Sequence, residues 1–256
     1  MPITSLKDFA TDKGITLPDQ GSIIAKAQAN IIDRYHYSPA DIKDNFDSLI
    51  EETEKEAHNV YLDCEKEYGE DVIMTFLQHL IDTGEVPTLE RLPSVLKKYY
   101  KILDGFYLSL ANGRKSRAGK SFETIHNGLF RTLGYPFEEQ VQIDGKPDFL
   151  MPSAAHYHQD PSDCIIFTAK RTLRERWRQI VTEGTRGHRF FLATIDEDLS
   201  DSQLRDMHDN RISIVCPKSI KEAKYPDVLN VLSFKQFFDD HLDPSITRWR
   251  RNHVIP

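Results

Sequence analysis

The sequence predicts an α/β protein, a mixed β-sheet core flanked by helices and preceded by an all-helical region. Three observations carry this. Apolar residues in the first 110 positions recur at helical spacing. From residue 114 onward, short apolar runs bounded by turn residues alternate with helical stretches in the order αβββαβαβα, which fits a mixed sheet flanked by helices. Between the two, Ala111, Asn112 and Gly113 break the pattern, giving a helical region 1–110 and a second domain 111–256.

In the first region, Ser38 before Pro39 reads as a helix cap with proline at the first helical position. Val72, Ile73, Phe76, Leu77, Leu80 and Ile81 form one apolar face, and Asp82, Thr83 and Gly84 stop that helix. Residues 89–110 give a further helix, with Leu92, Leu96, Tyr99, Tyr100, Leu103 and Tyr107 as its apolar positions. In the second region, 121–133 reads as a helix ended by Gly134, with Pro136 just beyond. Residues 138–143 alternate as a strand, and Asp144 with Gly145 signals a hairpin. Residues 148–151 begin the next strand, 156–163 read as a polar loop and 165–169 as a central strand. A helix at 173–181, buried strands at 190–194 and 212–216, and a closing helix at 233–242 complete the order.

The chain has 256 residues, enough for a substantial core. No apolar run approaches the roughly 20 residues of a membrane span, and Met1 to Asp8 lacks the pattern of a secretory leader. The three cysteines, Cys64, Cys164 and Cys216, are scattered and odd in number, which excludes a disulfide framework and zinc spacing. A reducing cytoplasm is the expected compartment. The net charge of −7 argues against nucleic acid only until it is divided. Residues 1–110 hold 20 acids and 11 bases, whereas 169–189 hold seven bases and two acids. A polyanion responds to the local field at a groove more than to the global sum.

Residues 148–183 carry the chemistry. Asp148 follows a Gly-Lys-Pro turn, Lys170 ends an apolar run, and Glu183 follows on the next predicted helix. Singly, an aspartate after proline is a turn residue, a strand-end lysine snorkels into solvent, and a helical glutamate lies on a solvated face. Their joint order is the outline of a phosphodiesterase metal site. Such hydrolysis needs an activated water and neutralisation of charge on phosphorus, and carboxylates hold Mg²⁺ because it is a hard cation. Asp148 and Glu183 are the candidate ligands, and Lys170 would face the scissile phosphate. Glu123, after the basic stretch 114–120, is a further acid that an arriving helix would bring to the metal.

Arg174, Glu175 and Arg176 follow at once. Arginine pairs bidentately with guanine O6 and N7, and glutamate accepts from cytosine N4, so this cluster has the chemistry to read adjacent G·C pairs. Otherwise it is a solvated helix face. Arg171 and Arg178 are candidates for phosphate contacts, which position without specifying. His156 and His158 have no partner cysteines or third histidine nearby, and no chemistry is assigned to them.

Pro147 and Asp148, then Thr168, Ala169 and Lys170, then Arg174, Glu175 and Arg176, then Glu183, resemble the PD-(D/E)XK nuclease superfamily. More narrowly they resemble restriction endonucleases that recognise CCGG or interrupted CC…GG sites. That group replaces the usual strand acid with Ser/Thr-X-Lys and moves the second acid to the following helix, as Thr168 and Glu183 do here. The resemblance covers about residues 114–190. It implies a restriction-endonuclease-like fold, with Asp148, Lys170, Glu183 and Glu123 catalytic. Asp148, Glu183 and Glu123 would hold Mg²⁺, and Arg174, Glu175 and Arg176 would read bases. Arg114 and Arg117 join Arg171 and Arg178 as backbone contacts. The implied activity is a Mg²⁺-dependent type II restriction endonuclease that cuts both strands of double-stranded DNA and leaves 5′-phosphate ends. The expected target is a palindrome with a CCGG core, the alternative an interrupted CC(N or W)GG site. A structure-specific repair nuclease and an inactive DNA-binding relative are further alternatives. The expected setting is a prokaryotic cytoplasm, with a homodimer on DNA, a cognate methyltransferase sharing the site, and no membrane. Residues 1–110 would serve dimerisation, support or contacts to flanking DNA.

Overall fold

The computed structural model describes residues 3–86, 88–143, 146–173 and 189–256, with side chains except at 89 and 115–121. By contact the chain divides into two compact units, one of residues 1–27 and 55–121, the other of 28–54 and 122–256.

The first unit is helical. It contains α1 (Leu6–Asp12) and parts of α2 (Gln20–Tyr35), α4 (Phe46–Asp82) and α5 (Leu92–Thr132), while α3 (Pro39–Asp44), capped by Ser38, belongs to the second unit. Its core is Leu6, Phe9, Tyr68, Val72, Phe76, Leu80, Val95, Tyr99 and Phe106. The expected stop after α4 is present: Gly84 has φ 74°, which the missing Cβ permits. Residues 111–113, read from sequence as a break between two helices, instead lie inside the 41-residue α5. A mid-helix glycine costs roughly 1 kcal/mol against alanine. Here a Cβ at Gly113 would meet the Tyr61 hydroxyl at 3.5 Å, an ordinary contact, so packing does not require the glycine.

The second unit holds a six-stranded sheet of β1 (Glu138–Glu139), β2 (Phe149–Met151), β3 (Ile165–Ala169), β4 (Phe190–Ala193), β5 (Ile212–Cys216) and β6 (Val231–Ser233), in that spatial order. β1, β2 and β3 pair antiparallel, and β3 to β6 pair parallel. This is the mixed, helix-flanked sheet that the sequence predicts. The strand period of two separates its faces. Phe149, Phe167 and Phe191 lie in register across β2, β3 and β4. With Phe46, Phe130, Phe234, Phe237 and Phe238 they form an aromatic layer. On the other face Leu150, Ile166, Phe190, Leu192 and Ile214 pack with Leu204, Met207 and Ile220. Those last three come from α7 (Asp201–Asp209) and α8 (Lys218–Lys224). Cys164 and Cys216 are buried, and burial pushes both thiols up to about 12, as inert core thiols require.

Several expectations change. The strand at 138–143 contracts to β1, and its Asp144-Gly145 turn, like residues 174–181 of the expected helix, lies outside the described residues. The polar loop at 156–163 is instead α6 (Ala154–Gln159), capped by Ser153, followed by a 3-10 turn (Pro161–Asp163). It is fastened from the C-terminus. Asp163 accepts from His156 Nε2 at 2.9 Å and pairs with Arg248, and the Asp163 carbonyl accepts from the Trp249 indole at 3.2 Å. The closing helix at 233–242 is also revised. Ser233 ends β6 and caps α9 (Phe234–Phe237) in a capping box with Gln236. A π-helical turn (Phe238–Leu242) and α10 (Asp243–Arg251) follow. Pro244 has no N–H to give to the preceding turn, and the wider turn absorbs the mismatch: the Asp243 N–H reaches the Phe238 carbonyl.

His126 is enclosed in the aromatic layer by Phe46, Phe122, Phe130, Phe167 and Phe234. Its Nδ1 lies 2.7 Å from the Phe122 carbonyl, and its Nε2 has no partner among the described residues. Burial lowers its pKa from 6.5 to about 4. The unfolded chain therefore binds a proton in the window between those values that the folded chain refuses. Stability is complete above pH 6.5 and declines as pH falls toward 4, by up to about 3 kcal/mol. His126→Phe is expected to flatten this part of the stability–pH curve. Urea midpoints at pH 4.5 and 7.5 measure it, and an equal acid loss in both proteins would exclude His126 as its source.

Candidate active site

The antiparallel-to-parallel switch at β3 builds the site. Asp148 immediately precedes β2, and Lys170 immediately follows β3. Because those strands are antiparallel neighbours with Phe149 opposite Phe167, the start of one meets the end of the other. The Asp148 carboxylate is 6% exposed and fully engaged. It accepts from the Ala169 N–H at 2.9 Å and from Lys170 Nζ at 2.8 and 3.1 Å. Lys170 stays partly open to solvent, so its ammonium can meet an incoming anion.

Glu123 arrives from α5. Burial holds its carboxyl above the usual range, and the Asp148 charge raises it further against the opposing pull of Lys170. Gln140 supports it, donating from Nε2 to Oε1 at 3.3 Å, while the Gln140 N–H donates to the Asp148 carbonyl, also at 3.3 Å. Gln140 has φ 50° just past β1, a left-handed conformation uncommon for glutamine. Sequence reading passed over it, since a glutamine in a short strand carries no signal of its own.

The structure thus brings together Asp148, Lys170 and Glu123. Glu183, Arg174, Glu175, Arg176 and Arg178 lie outside the described residues, as does the side chain of Arg117. Arg171 pairs with Glu54 of α4. Arg114, in the helical unit, is bonded to Glu65, whose buried carboxylate also accepts from the Tyr61 hydroxyl at 2.6 Å. Neither arginine was expected to have a protein acid as its partner.

Among the described residues no group of three or more His, Cys, Asp or Glu forms a metal cluster. The donor set present nevertheless fits a hard divalent cation: the two carboxylates of Asp148 and Glu123 offer oxygen donors only.

A mixed sheet that sets an aspartate and a lysine at adjacent strand ends, with an acid on the flanking helix, defines the PD-(D/E)XK class with its restriction-endonuclease-like fold. Within that class the chain belongs to the EcoRII C terminal family, which matches residues 89–238. It is 36% identical over 144 residues to the type II restriction enzyme EcoRII of Escherichia coli, covering 53% of this chain and 35% of that one. It is 27% identical over 184 residues to the type II restriction enzyme SsoII of Shigella sonnei, covering 66% of this chain and 60% of that one. The chain therefore spans between about a third and three-fifths of these relatives' lengths. Its fold is similar to metal-depleted Ecl18kI in complex with uncleaved DNA, with TM-score 0.69, 22% identity, and coverage of 98% of this chain and 86% of that chain. It is also similar to restriction endonuclease PspGI in its substrate DNA complex, with TM-score 0.60, 23% identity, and coverage of 91% and 94%.

Proposed function

We propose that this protein is a type II restriction endonuclease that hydrolyses both strands of double-stranded DNA at an interrupted CC(W or N)GG palindrome and leaves 5′-phosphate ends. The observation that carries the reading is the Lys170 ammonium seated on the Asp148 carboxylate with Glu123 beside them. The similarity to EcoRII and SsoII supports the interrupted site better than the contiguous CCGG core expected from the sequence. The same Arg174, Glu175 and Arg176 reader serves either target, because it contacts the G·C pairs and not what separates them. The sequence alone therefore does not fix the spacing.

Asp148 and Glu123, with Glu183, would hold Mg²⁺. When bound, the cation supplies neutralisation of charge on the phosphate and acidifies water. Lys170 orients the attacking water and faces the phosphate, and Asp148 fixes the ammonium in that place. Arg174 and Arg176 pair with guanine and Glu175 with cytosine. A palindromic target calls for two copies related by a two-fold axis, each cutting one strand. We assign residues 1–110 to support and subunit association, since their acidity disfavours a broad phosphate-binding face. A methyltransferase that modifies the same site would protect the host DNA in the cytoplasm. No helix among the described residues is long and apolar enough to cross a membrane.

The test is digestion of unmethylated phage DNA with Mg²⁺, beside a chelated control, with the fragment ends sequenced. Discrete fragments whose ends share a CC…GG palindrome with an interrupting base are expected only with the metal. Ends sharing contiguous CCGG would restore the other target, and uniform degradation would remove the restriction reading.

A further inference from the structure

The backbone that follows Lys170 leaves the sheet, since the β3–β4 ladder ends at Ala169 opposite Ala193. It is nevertheless held over the next residues by the chain that leaves β4. The Lys170 N–H donates to the Ala193 carbonyl at 2.9 Å. The Arg171 carbonyl accepts from the Thr194 hydroxyl at 3.3 Å. The Leu173 N–H donates to Asp196 Oδ2 at 2.8 Å. The two anchors also hold each other, because Thr194 Oγ1 accepts the Asp196 N–H at 3.1 Å. The second carboxylate oxygen of Asp196 accepts the Asp198 N–H at 3.2 Å, and the Asp196 carbonyl accepts the Tyr225 hydroxyl at 3.4 Å. Thr194 and Leu173 are fully buried.

Such a latch is not needed to complete the sheet. Buried backbone groups outside a ladder still require partners, but a threonine and an aspartate just past one neighbouring strand supply them for Arg171 and Leu173 here. The next residue after Leu173 is Arg174. Lys170 therefore stands at one end of the latched segment, and the chain toward Arg174, Glu175 and Arg176 leaves from the other.

We propose that Thr194 and Asp196 are positioning residues that fix the register between Lys170 and the base-reading segment, so that a correct base contact and a correctly placed ammonium occur together. The proposal rests on the restriction reading above. A bidentate arginine–guanine pair has little positional tolerance, and small misplacements at a reacting centre cost large factors in rate. Slack in residues 171–173 would therefore loosen both at once.

The experiment uses the full chain and a DNA duplex carrying CCAGG. It measures the single-turnover cleavage rate with Mg²⁺, the rate on a duplex with one C·G pair exchanged, and affinity for the first duplex in chelator. Thr194→Val keeps the volume and removes the hydroxyl. Its cleavage rate is expected to fall about 10- to 100-fold, and its preference for the correct duplex about 10-fold. Affinity in chelator is expected to change less than about 3-fold, because phosphate contacts dominate it. Thr194→Ser, which restores the hydroxyl, is expected to recover rate and preference. Asp196→Asn, which keeps an oxygen for the Leu173 N–H, is expected to recover most of what Asp196→Ala loses. A Thr194→Val protein with wild-type rate and preference overturns the positioning role, as does a Thr194→Ser protein no better than Thr194→Val. A wild-type protein that leaves the duplex uncut overturns the restriction reading itself, and the positioning proposal with it.

Discussion

Lys170→Met is expected to reduce single-turnover DNA cleavage by about 10²- to 10⁴-fold, the range a positioned proton-transfer or charge-stabilising group supplies. Methionine keeps the length and apolar stem of lysine, so the strand end is filled as before and only the ammonium is lost. Two consequences combine. No cation then faces the phosphate as charge develops there, and the Asp148 carboxylate keeps the Ala169 N–H as its remaining donor in the described structure. A nearly buried carboxylate that loses this partner is no longer fixed in place, which would spoil its proposed use as a metal ligand. Lys170→Arg is not expected to restore the rate, because a planar fork cannot replace a compact ammonium on both carboxylate oxygens. Binding of the target duplex should persist, since the proposed readers Arg174, Glu175 and Arg176 are unchanged. A Lys170→Met protein that cleaves within about 10-fold of wild type would remove Lys170 from the chemistry. One that cannot bind would show a structural role instead.

Phe130→Ala is expected to lower stability by about 3–5 kcal/mol. Phe130 is on α5 and is fully buried. Its ring lies 5.2 Å from Phe167 of β3, 5.5 Å from Phe149 of β2, 6.0 Å from Phe46 of α4 and 6.4 Å from Phe238 of the π turn. Edge-to-face contacts dominate, a geometry that adds to the area buried. Truncation to alanine would leave a cavity that several rigid elements cannot collapse into. Phe130→Leu, which keeps most of the volume, should lose less than about 1.5 kcal/mol. Urea unfolding of the three proteins measures this. A loss below about 1 kcal/mol for the alanine variant would mean that the layer repacks around the gap. Phe149 and Phe167 sit one residue after Asp148 and three before Lys170, so the same layer holds the strand ends of the candidate site in place.

The strands that carry the site were legible because they are buried on both faces. Residues 165–169 and 212–216 read as continuous apolar runs, the mark of central strands. Asp148 and Lys170 could be paired in advance because each borders such a run. Glu123 was legible as an acid, though its approach to Asp148 and Lys170 depended on a helix whose length the sequence understated. The 233–242 region misled because a three-residue strand ending on a helix cap shows no alternation. α6 was missed because His156, His158, Gln159 and Asp160 look like a solvated loop, whereas Arg248 and Trp249 arrive from some 85 residues away to hold that segment.

What the sequence offered by itself was a candidate chemistry: Asp148, Lys170 and Glu123, which the structure brings together, and a cluster whose residue types are suited to G·C pairs. These follow from residue type, burial pattern and spacing along one short segment, all local properties. What only the tertiary structure decided was the company those residues keep. Gln140 on Glu123, Glu54 on Arg171, and Thr194 with Asp196 on the segment after Lys170 are contacts between residues distant in sequence. Glutamine, threonine and aspartate are ordinary surface residues by composition, and nothing local marks them. Their roles arise where separate strand ends meet, because there the sheet stops supplying hydrogen bonds and side chains must supply them instead.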